Sequence, residues 1–396
     1  MSSFGHSLRS QWPLETGLTY LNHGTVGVTP LQVLDAQRGI RDHIERNPSR
    51  YLLRELCEIV VGHPRVERPR LRQAADAVGE FVGVRGDDLV FVDNTTTGAN
   101  AILRSWPIRP DDEILVSDFS YGGVTRAVMF AARERGATVR VAEMPYPVRS
   151  AELIVEAFAA AIGPKTTLAV VDHVTSESAL VLPLAAIAER CHARRVAVLA
   201  DGAHAPGAIP LDIPSLGCAW YVGNRHNWHW VPWSSGILWA SPARQQALHS
   251  AVISWGLDRG FNAEFDMPGT RDPSPHLSAP AAIAYMRQLG IDAVRRHNHA
   301  LAWNGAQLLA ERCGTEFATP ETMIGTMATI ALPEKLGSTA EDAATVRDAL
   351  LFGHRIEVQH AGTPGLEQHH QTFAHRRLVL DQQHQAALQR QAQRRL

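Results

Sequence analysis

The stretch Val196-Ala-Val-Leu-Ala-Asp-Gly-Ala-His204 decides how this chain folds. Its apolar residues predict a buried strand, which ends in an acid, Asp201, with His204 three residues later. Further along comes Tyr221-Val-Gly-Asn-Arg-His-Asn-Trp-His-Trp230, a strand that runs into a loop of polar and aromatic side chains. Because both segments follow buried strands, we expect Asp201, His204 and the pair His226-Asn227 to share one pocket.

The overall composition is typical of a globular enzyme. The chain has 396 residues, of which 45% are hydrophobic and 20% charged, and its formal net charge is −2. The length allows one large domain and a smaller one, and the small charge gives no sign of a nucleic-acid or membrane surface. No apolar run approaches the ~20 residues that span a bilayer, and the first residues lack the apolar core of a signal peptide. We therefore expect a cytoplasmic protein that acts on a small molecule.

Strands and helices alternate through the first two thirds of the chain. This order predicts an α/β fold with a mostly parallel sheet, helices on both faces, and ligands at the carboxyl ends of the strands. One such end follows Leu89–Val92, where Asp93-Asn-Thr-Thr-Thr-Gly98 leads into a predicted helix over 99–106. A turn of this kind presents free backbone N–H groups at a helix N-terminus, which predicts an anion site.

The chain divides into four predicted parts. Residues 1–30 form an extended arm, 31–275 a large domain and 276–358 a smaller α+β domain. The tail, 359–396, is rich in His, Gln and Arg and has weak apolar periodicity, so we expect it to be loosely packed apart from a short helix over 383–394.

Seven motifs, in order, resemble the class V aminotransferase family. They point to its isopenicillin N epimerase-like branch, which includes hercynylcysteine sulfoxide lyases. The motifs are Tyr20-Leu-Asn-His-Gly-Thr25, Val92-Asp-Asn-Thr-Thr-Thr-Gly-Ala-Asn100, Ser117-Asp-Phe-Ser-Tyr-Gly122, Asp172-His-Val-Thr-Ser176, Asp201-Gly-Ala-His-Ala-Pro-Gly207, Tyr221-Val-Gly-Asn-Arg-His226 and Gly269-Thr-Arg-Asp272. The resemblance covers residues 15–350 and implies the fold type I architecture of enzymes that depend on pyridoxal 5'-phosphate (PLP).

The resemblance also implies how the phosphate of PLP is held. Thr95 and Thr96 would bind it at the predicted anion site, and His226 would contact it from the neighbouring loop. Gly269 and Thr270 would reach the same phosphate from a second subunit. The resemblance therefore implies a homodimer.

The ring of the cofactor has its own implied partners. Tyr121 resembles the aromatic residue that stacks on the ring, and Asp201 the acid that keeps the pyridine nitrogen protonated so that the ring accepts electrons. His204 and Thr175 would lie near the ring oxygen. We also expect the run Trp228-His-Trp-Val-Pro-Trp233 to pack the pocket wall and the dimer interface.

The catalytic lysine of the family is missing. In the family pattern, a lysine follows the histidine of the Gly-Asn-x-His segment and forms a Schiff base with the cofactor, but here that position is Asn227. An amide nitrogen is not a nucleophile and does not titrate near neutral pH, so Asn227 can neither attach the cofactor nor shuttle a proton. The chain's two lysines, Lys165 and Lys335, lie before a strand and in a small-domain loop, both away from the expected pocket.

Three explanations for Asn227 are open. It is an introduced substitution that traps a substrate on the cofactor; or it is natural, PLP is held non-covalently, and His226, His229 or His23 acts as the base; or the fold has been retained for another ligand and PLP is absent.

The closing strand of the family, which carries an arginine that holds the substrate carboxylate, has no match after Ile356-Glu-Val358. Arg376 and Arg377 are present, but their sequence context differs. This departure weakens the case for recognition of an amino-acid carboxylate. The family resemblance as a whole nevertheless implies an enzyme that acts on an amino acid, for example a cysteine conjugate, by labilising a Cα substituent or cleaving a Cβ–S bond. The alternative is a PLP-fold protein repurposed for cofactor-independent chemistry or for ligand binding without catalysis.

Overall fold

A computed structural model describes residues 4–58, 66–336, 339–361 and 377–381. Two sheets organise this part of the chain. None of the helices in these ranges is both long and apolar enough to cross a membrane. The strands are β1 (Thr19–Leu21), β2 (Leu89–Val92), β3 (Glu113–Ser117), β4 (Thr138–Ala142), β5 (Thr166–Asp172), β6 (Ala197–Asp201), β7 (Trp220–Asn224), β8 (Gly236–Ala240), β9 (Met327–Ala331), β10 (Ile356–Ala361) and β11 (Arg377–Asp381).

The larger sheet has seven strands in the order β2-β8-β7-β6-β5-β3-β4. The pairs from β4 across to β7 are parallel, whereas β8 runs antiparallel to both of its neighbours, β7 and β2. The sheet is therefore mostly parallel, as predicted. The adjacent strands β5 and β6 end in register at Asp172 and Asp201, so two acids lie side by side at the carboxyl edge.

Helices cover both faces of this sheet, and each face has its own core of buried apolar side chains. Strands buried on both faces must be apolar throughout, which explains the continuous Val, Leu and Ala runs of β2, β6 and β8. The helices are α1 (Leu31–Arg46), α2 (Pro48–Arg50), α3 (Arg70–Val82), α4 (Thr95–Ser105), α5 (Gly122–Arg135), α6 (Ala151–Ala161), α7 (Leu184–His192), α8 (Pro242–Gln245), α9 (Phe261–Asp266), α10 (Ser274–Leu277), α11 (Ala279–Leu289), α12 (Ile291–Cys313) and α13 (Ala340–Asp348).

The smaller sheet has the order β1-β10-β11-β9 and joins the two ends of the chain. Strand β1, which lies in the predicted N-terminal arm, pairs in parallel with β10, where Leu21 lies beside Val358. Two segments of the predicted tail are also strands of this sheet: β10 extends to Ala361, and β11 spans Arg377–Asp381. The expectation of loose packing is wrong for these segments, because ladder hydrogen bonds fix them. The helix predicted over 383–394, and Arg376, lie outside the described residues.

Helix α4 begins earlier than the sequence pattern predicted. We expected a start at Ala99, but the helix begins at Thr95 because the Asn94 side chain accepts a hydrogen bond from the Thr97 amide at 2.9 Å. Asparagine is a favoured N-cap for this reason, and the small polar residues that resembled a loop are the first helical turn.

Candidate functional site

A cavity of about 920 Å³ opens at the carboxyl edge of the large sheet and extends to the small one. Its walls come from the segment after β1, the starts of α4 and α5, the loops after β5, β6 and β7, and strands β9 and β10 of the small sheet. Its lining includes Asn22, Gly24, Thr25, Asn94, Thr95, Thr96, Thr97, Tyr121, Arg126, Glu177, Ala203, His204, Asn224, His226, Met327 and Gln359. The predicted residues Thr95, Thr96, Tyr121, His204 and His226 therefore come together in space.

The first turn of α4 forms one end of this cavity. Two of its amides are already engaged, because the Thr95 amide donates to Asn224 Oδ1 at 2.8 Å and the Thr97 amide donates to Asn94. The free amides expected at this turn are thus reduced in number. The buried Thr95 hydroxyl, however, has no hydrogen-bond partner among the described residues. A threonine hydroxyl in a helical first turn, where the helix dipole also favours negative charge, suits an anion.

Two buried carboxyl groups lie beneath the cavity. Asp201 accepts a hydrogen bond from the Ala203 amide at 3.0 Å through Oδ1, while its enclosed Oδ2 has no partner in the described part of the chain. Burial raises the pKa of Asp201 to about 6. Burial and the neighbouring charge of Asp201 raise the pKa of Asp172 well above its ordinary value. Asp201 does not itself line the cavity, but Ala203 and His204, two and three residues later in the chain, do.

Two histidines, His204 and His226, line the cavity near this acid pair. Burial and the nearby His226 lower the pKa of His204 to about 4. Burial also lowers the pKa of His226, although a hydrogen bond to the Ser235 backbone opposes this shift. The Nδ1 atom of each ring lacks a partner among the residues described. Both imidazoles are therefore neutral at pH 7, and each has one enclosed ring nitrogen without a described partner.

Successive residues of the loop after β7 point in different directions. Arg225 is fully buried, with its guanidinium 5.1 Å from the centre of the Phe91 ring. His226 faces the cavity. Asn227 is also buried, but its Nδ2 donates to the backbone carbonyls of His23 and Gly24, at 3.0 and 2.7 Å. The Asn227 side chain is thus directed to the chain segment that follows β1.

That segment passes very close to the loop. A Cβ atom on Gly27 would lie 1.9 Å from the His226 carbonyl oxygen, so only glycine fits there. Asn227 and this close approach together hold residues 22–27 over the loop, where Asn22, Gly24 and Thr25 line the cavity. In this structure Asn227 acts as a tether for the cavity wall.

Several other candidate residues lie outside the cavity lining. His23 and His229 are both buried, and His229 stacks on Phe81 at 4.3 Å. Thr175 is fully buried, and its hydroxyl is 2.7 Å from that of Ser178 and accepts from the Leu180 amide. These contacts stabilise the turn after β5, so in this structure the Thr175 hydroxyl is engaged within that turn.

The tryptophans of the run after Asn227 also lie away from the cavity lining. Trp230 packs on Trp12 with 5.5 Å between ring centres, and Trp233 is 63% exposed and donates to the Gly27 carbonyl. The run therefore does not line the cavity, but Trp233 contacts the wall segment through Gly27.

Gly269 and Thr270 line surface depressions of the chain, one of which they share with Val252. Within this chain they do not reach the cavity. This placement is compatible with the expectation that they serve a second subunit.

Neither lysine is near the cavity lining. The Lys165 carbonyl accepts from the Glu113 amide, at the amino ends of β3 and β5, the opposite edge of the sheet from Asp201. Lys335 lies in the short helical turn after β9. Neither lysine of the sequence is therefore placed to attach a cofactor covalently at this cavity.

Many residues of the cavity region were not among the predicted site residues, and Asp172, Asn224 and Arg126 are the three most relevant to the chemistry. Asp172 ends a strand as Asp201 does, and this shared position was a usable signal. Asn224 closes β7 and caps the Thr95 amide, while Arg126 follows Tyr121 by five residues on α5. Asn224 stands in the Tyr221-Val-Gly-Asn-Arg-His226 motif, which was a usable signal, whereas no local sequence pattern distinguishes Arg126 from an ordinary surface arginine.

The fold is that of the class V aminotransferase family. The sequence profile of the aminotransferase class V family matches residues 67–349, and the chain belongs to this family. The chain is 29% identical to isopenicillin N epimerase from Streptomyces clavuligerus, over 90% of each protein. It is 31% identical to putative L-cysteine desulfhydrase 1 from Oryza sativa subsp. japonica, over 87% of this chain and 73% of that protein.

More distant relatives agree with these. Hercynylcysteine sulfoxide lyase from Schizosaccharomyces pombe is 20% identical over 80% of this chain and 81% of that protein. A solved structure of a mutant of the lyase C-DES, with glycine covalently linked to its PLP cofactor, superposes with a TM-score of 0.72 at 22% identity, covering 94% of both chains. The predicted family and fold type are confirmed.

The described residues fit PLP, the cofactor of this family. The unpartnered Asp201 Oδ2 is a buried acceptor of the kind that a protonated pyridine nitrogen requires, and the Thr95 hydroxyl and the α4 N-terminus suit a phosphate. No group in this set supplies the amine for covalent attachment.

Proposed function

We propose that this protein binds PLP non-covalently and uses it to labilise a bond at Cα or to cleave a Cβ–S bond of an amino acid. The observation that carries the proposal is the buried Asp201 oxygen without a described partner. It belongs to the residue two positions before Ala203, which lines the cavity together with Thr95 and two neutral histidines. When bound, the cofactor supplies an electron sink for negative charge at the substrate Cα. The relatives whose names refer to an epimerase, a desulfhydrase and a lyase all support amino-acid chemistry.

We assign the proton transfer at Cα to His226. Of the three histidines considered as bases, only His226 lines the cavity, whereas His23 and His229 lie behind its wall. Its lowered pKa keeps the imidazole neutral, and therefore able to accept a proton, at pH 7. His204 is the neighbouring second imidazole.

The test of this function has two steps. PLP added to the protein should show a saturable change in absorbance, and the loaded protein should exchange the α-proton of an amino acid with D2O, followed by NMR. We expect His226→Ala to slow exchange by about 10²–10⁴-fold, since a general base contributes that much, and added imidazole to restore part of it.

Two outcomes would count against these assignments separately. Absence of saturable PLP binding would exclude the cofactor, and the protein would then be a member of the fold that serves another ligand. Cofactor binding with exchange that His226→Ala leaves unchanged would exclude His226 as the base. The arrangement of Asn227, directed at backbone carbonyls, is the observation that favours the ligand-binding alternative.

We also propose that the protein is a homodimer. The depression formed by Gly269, Thr270 and Val252 adjoins a chain segment with exposed apolar side chains, among them Ile253 and Trp255. Trp255 is 79% exposed, and large exposed apolar patches mark interfaces. A partner covering this face would bury Trp255 and bring the second subunit's Gly269-Thr270 turn to the phosphate.

Trp255→Glu should therefore convert the dimer to a monomer and weaken PLP binding, because a charge in an apolar interface is costly to bury. Light scattering after size exclusion, with a PLP titration, measures both effects. Phe352→Glu is a matched control, since Phe352 is equally exposed, at 79%, on the turn after α13. A monomeric wild-type protein, or the same response from both variants, would contradict the proposed interface.

A further inference from the structure

The charges on the cavity wall bear on what the substrate carries. Among the described lining residues, Arg126 is the one arginine or lysine, and Glu177 is the one acid. An amino acid brings a carboxylate into the cavity, and burying that charge there without a cation is unfavourable. A guanidinium matches a carboxylate best, because it donates two parallel hydrogen bonds.

The first turns of α5 direct Arg126 toward the cavity. Gly122, Gly123 and Arg126 all line it, and their spacing of three and four residues places them on one helical face. Long side chains on a helix lean toward its N-terminus, which here is the edge of the cavity. A Cβ atom on Gly123 would lie 2.6 Å from Tyr121 Cε1, so the Tyr121 ring packs directly against this glycine. Arg126 lies one helical turn further along α5.

We propose that Arg126 binds a carboxylate of the substrate and thereby makes the cavity select amino acids over simple amines. This role rests on the proposed function, because it places the substrate beside a cofactor held at Thr95 and Asp201. In this arrangement the N-terminal end of α5 provides Tyr121 for the cofactor ring and Arg126 for the substrate carboxylate. Arg126 is a specificity-determining residue and takes no part in proton transfer.

A second arginine, Arg377, is the alternative candidate for binding the substrate carboxylate. In the small sheet, Arg377 pairs with Ala331 on one side and with Ala361 on the other. Along β11 it lies two residues from the position that pairs with Gln359, and four residues from the position that pairs with Met327. Gln359 and Met327 line the cavity, so Arg377 starts its strand farther away, whereas Arg126 is part of the lining itself. Replacing Arg126 and replacing Arg377 therefore have different expected effects on binding of a carboxylate ligand.

The experiment uses two stable probes that need no reaction in the cavity: the reduced conjugates N-phosphopyridoxyl-L-alanine and N-phosphopyridoxyl-ethylamine, which differ only by the carboxylate. Calorimetric titration of the full chain should show that the wild-type protein prefers the alanine conjugate. Arg126→Gln should remove a preference of about 10–100-fold, as expected for hydrogen bonds to a charged group, and leave the affinity for the ethylamine conjugate within about 3-fold.

Arg133→Gln is the matched control, since Arg133 lies on the same helix, is exposed, and is not part of the cavity lining. A preference that survives Arg126→Gln, or that Arg377→Gln alone removes, would overturn the role of Arg126 while leaving the cofactor site intact. If neither conjugate binds the wild-type protein, the proposed function fails, and the assignment of Arg126 fails with it.

Discussion

The Asn227→Lys variant is expected to become covalently linked to PLP after borohydride reduction, whereas the wild-type protein is expected to gain no mass. Neither Lys165 nor Lys335 lines the cavity, so the wild-type protein offers no amine there. A lysine side chain at position 227 is long and flexible enough to turn from the carbonyls of His23 and Gly24 toward the cavity. Intact-mass spectrometry followed by peptide mapping detects the modification and its position.

The same substitution has a cost in folding stability. The two buried hydrogen bonds from Asn227 to the His23 and Gly24 carbonyls are lost, at roughly 1 kcal/mol each. Asn227→Ala is the control, because it loses the same bonds without adding an amine. It should show a similar drop in the free energy of unfolding and no linkage. A wild-type adduct that maps to Lys165 or Lys335 would disprove the claim that no native lysine serves.

The Asp201→Asn variant is expected to stabilise the ligand-free protein above neutral pH and to weaken PLP binding. Burial raises the pKa of Asp201 from 3.8 to about 6, so the folded chain holds this proton where the unfolded chain has released it. The folded state therefore loses stability as pH rises from 3.8 to about 6, and the loss persists above that range. The neutral amide avoids this loss, and it also removes the charge that helps to raise the pKa of Asp172.

Near pH 4, where Asp201 is largely protonated, the two proteins should be about equally stable. His173 and His204, whose pKa burial lowers to about 4, give a pH dependence of the opposite sign, but they are common to both proteins and cancel in the difference. Urea unfolding at several pH values measures the difference. PLP affinity should fall about 10–100-fold, because the amide cannot form a charged hydrogen bond with the pyridine nitrogen.

Asp42→Asn, at an exposed position of α1, is the control that should change neither quantity. An Asp201→Asn protein with unaltered PLP affinity would indicate that the unpartnered oxygen does not serve the cofactor. A stability difference that is independent of pH would show that Asp201 is not a buried acid with a raised pKa.

The sequence was informative where a feature depends on neighbours along the chain. The apolar run before Asp201 predicted β6, and its acid was correctly placed at the carboxyl edge, because an α/β alternation puts such ends together. The ordered motifs predicted the family that the comparisons confirm. The absence of an amine at Asn227 is also a property of the sequence alone.

Local sequence patterns did not predict the elements that depend on hydrogen bonds between residues far apart in the sequence. Strand β1 pairs with β10 near the other end of the chain, and β11 completes that sheet from a segment whose composition suggested loose packing. A short strand is stabilised by its partners in the ladder, so its composition alone does not predict it. The early start of α4 depended on a single side chain, that of Asn94.

The sequence by itself determined the fold, the acid at the end of β6 and the absence of an amine at Asn227. Only the tertiary structure decided that Asp172 lies beside Asp201, that Asn227 holds the His23 and Gly24 carbonyls, and that Arg126 lines the cavity. The physical reason is the same in each case. Strand register, burial and side-chain direction are set by contacts between segments far apart in the chain, and these contacts exist only once the chain has folded.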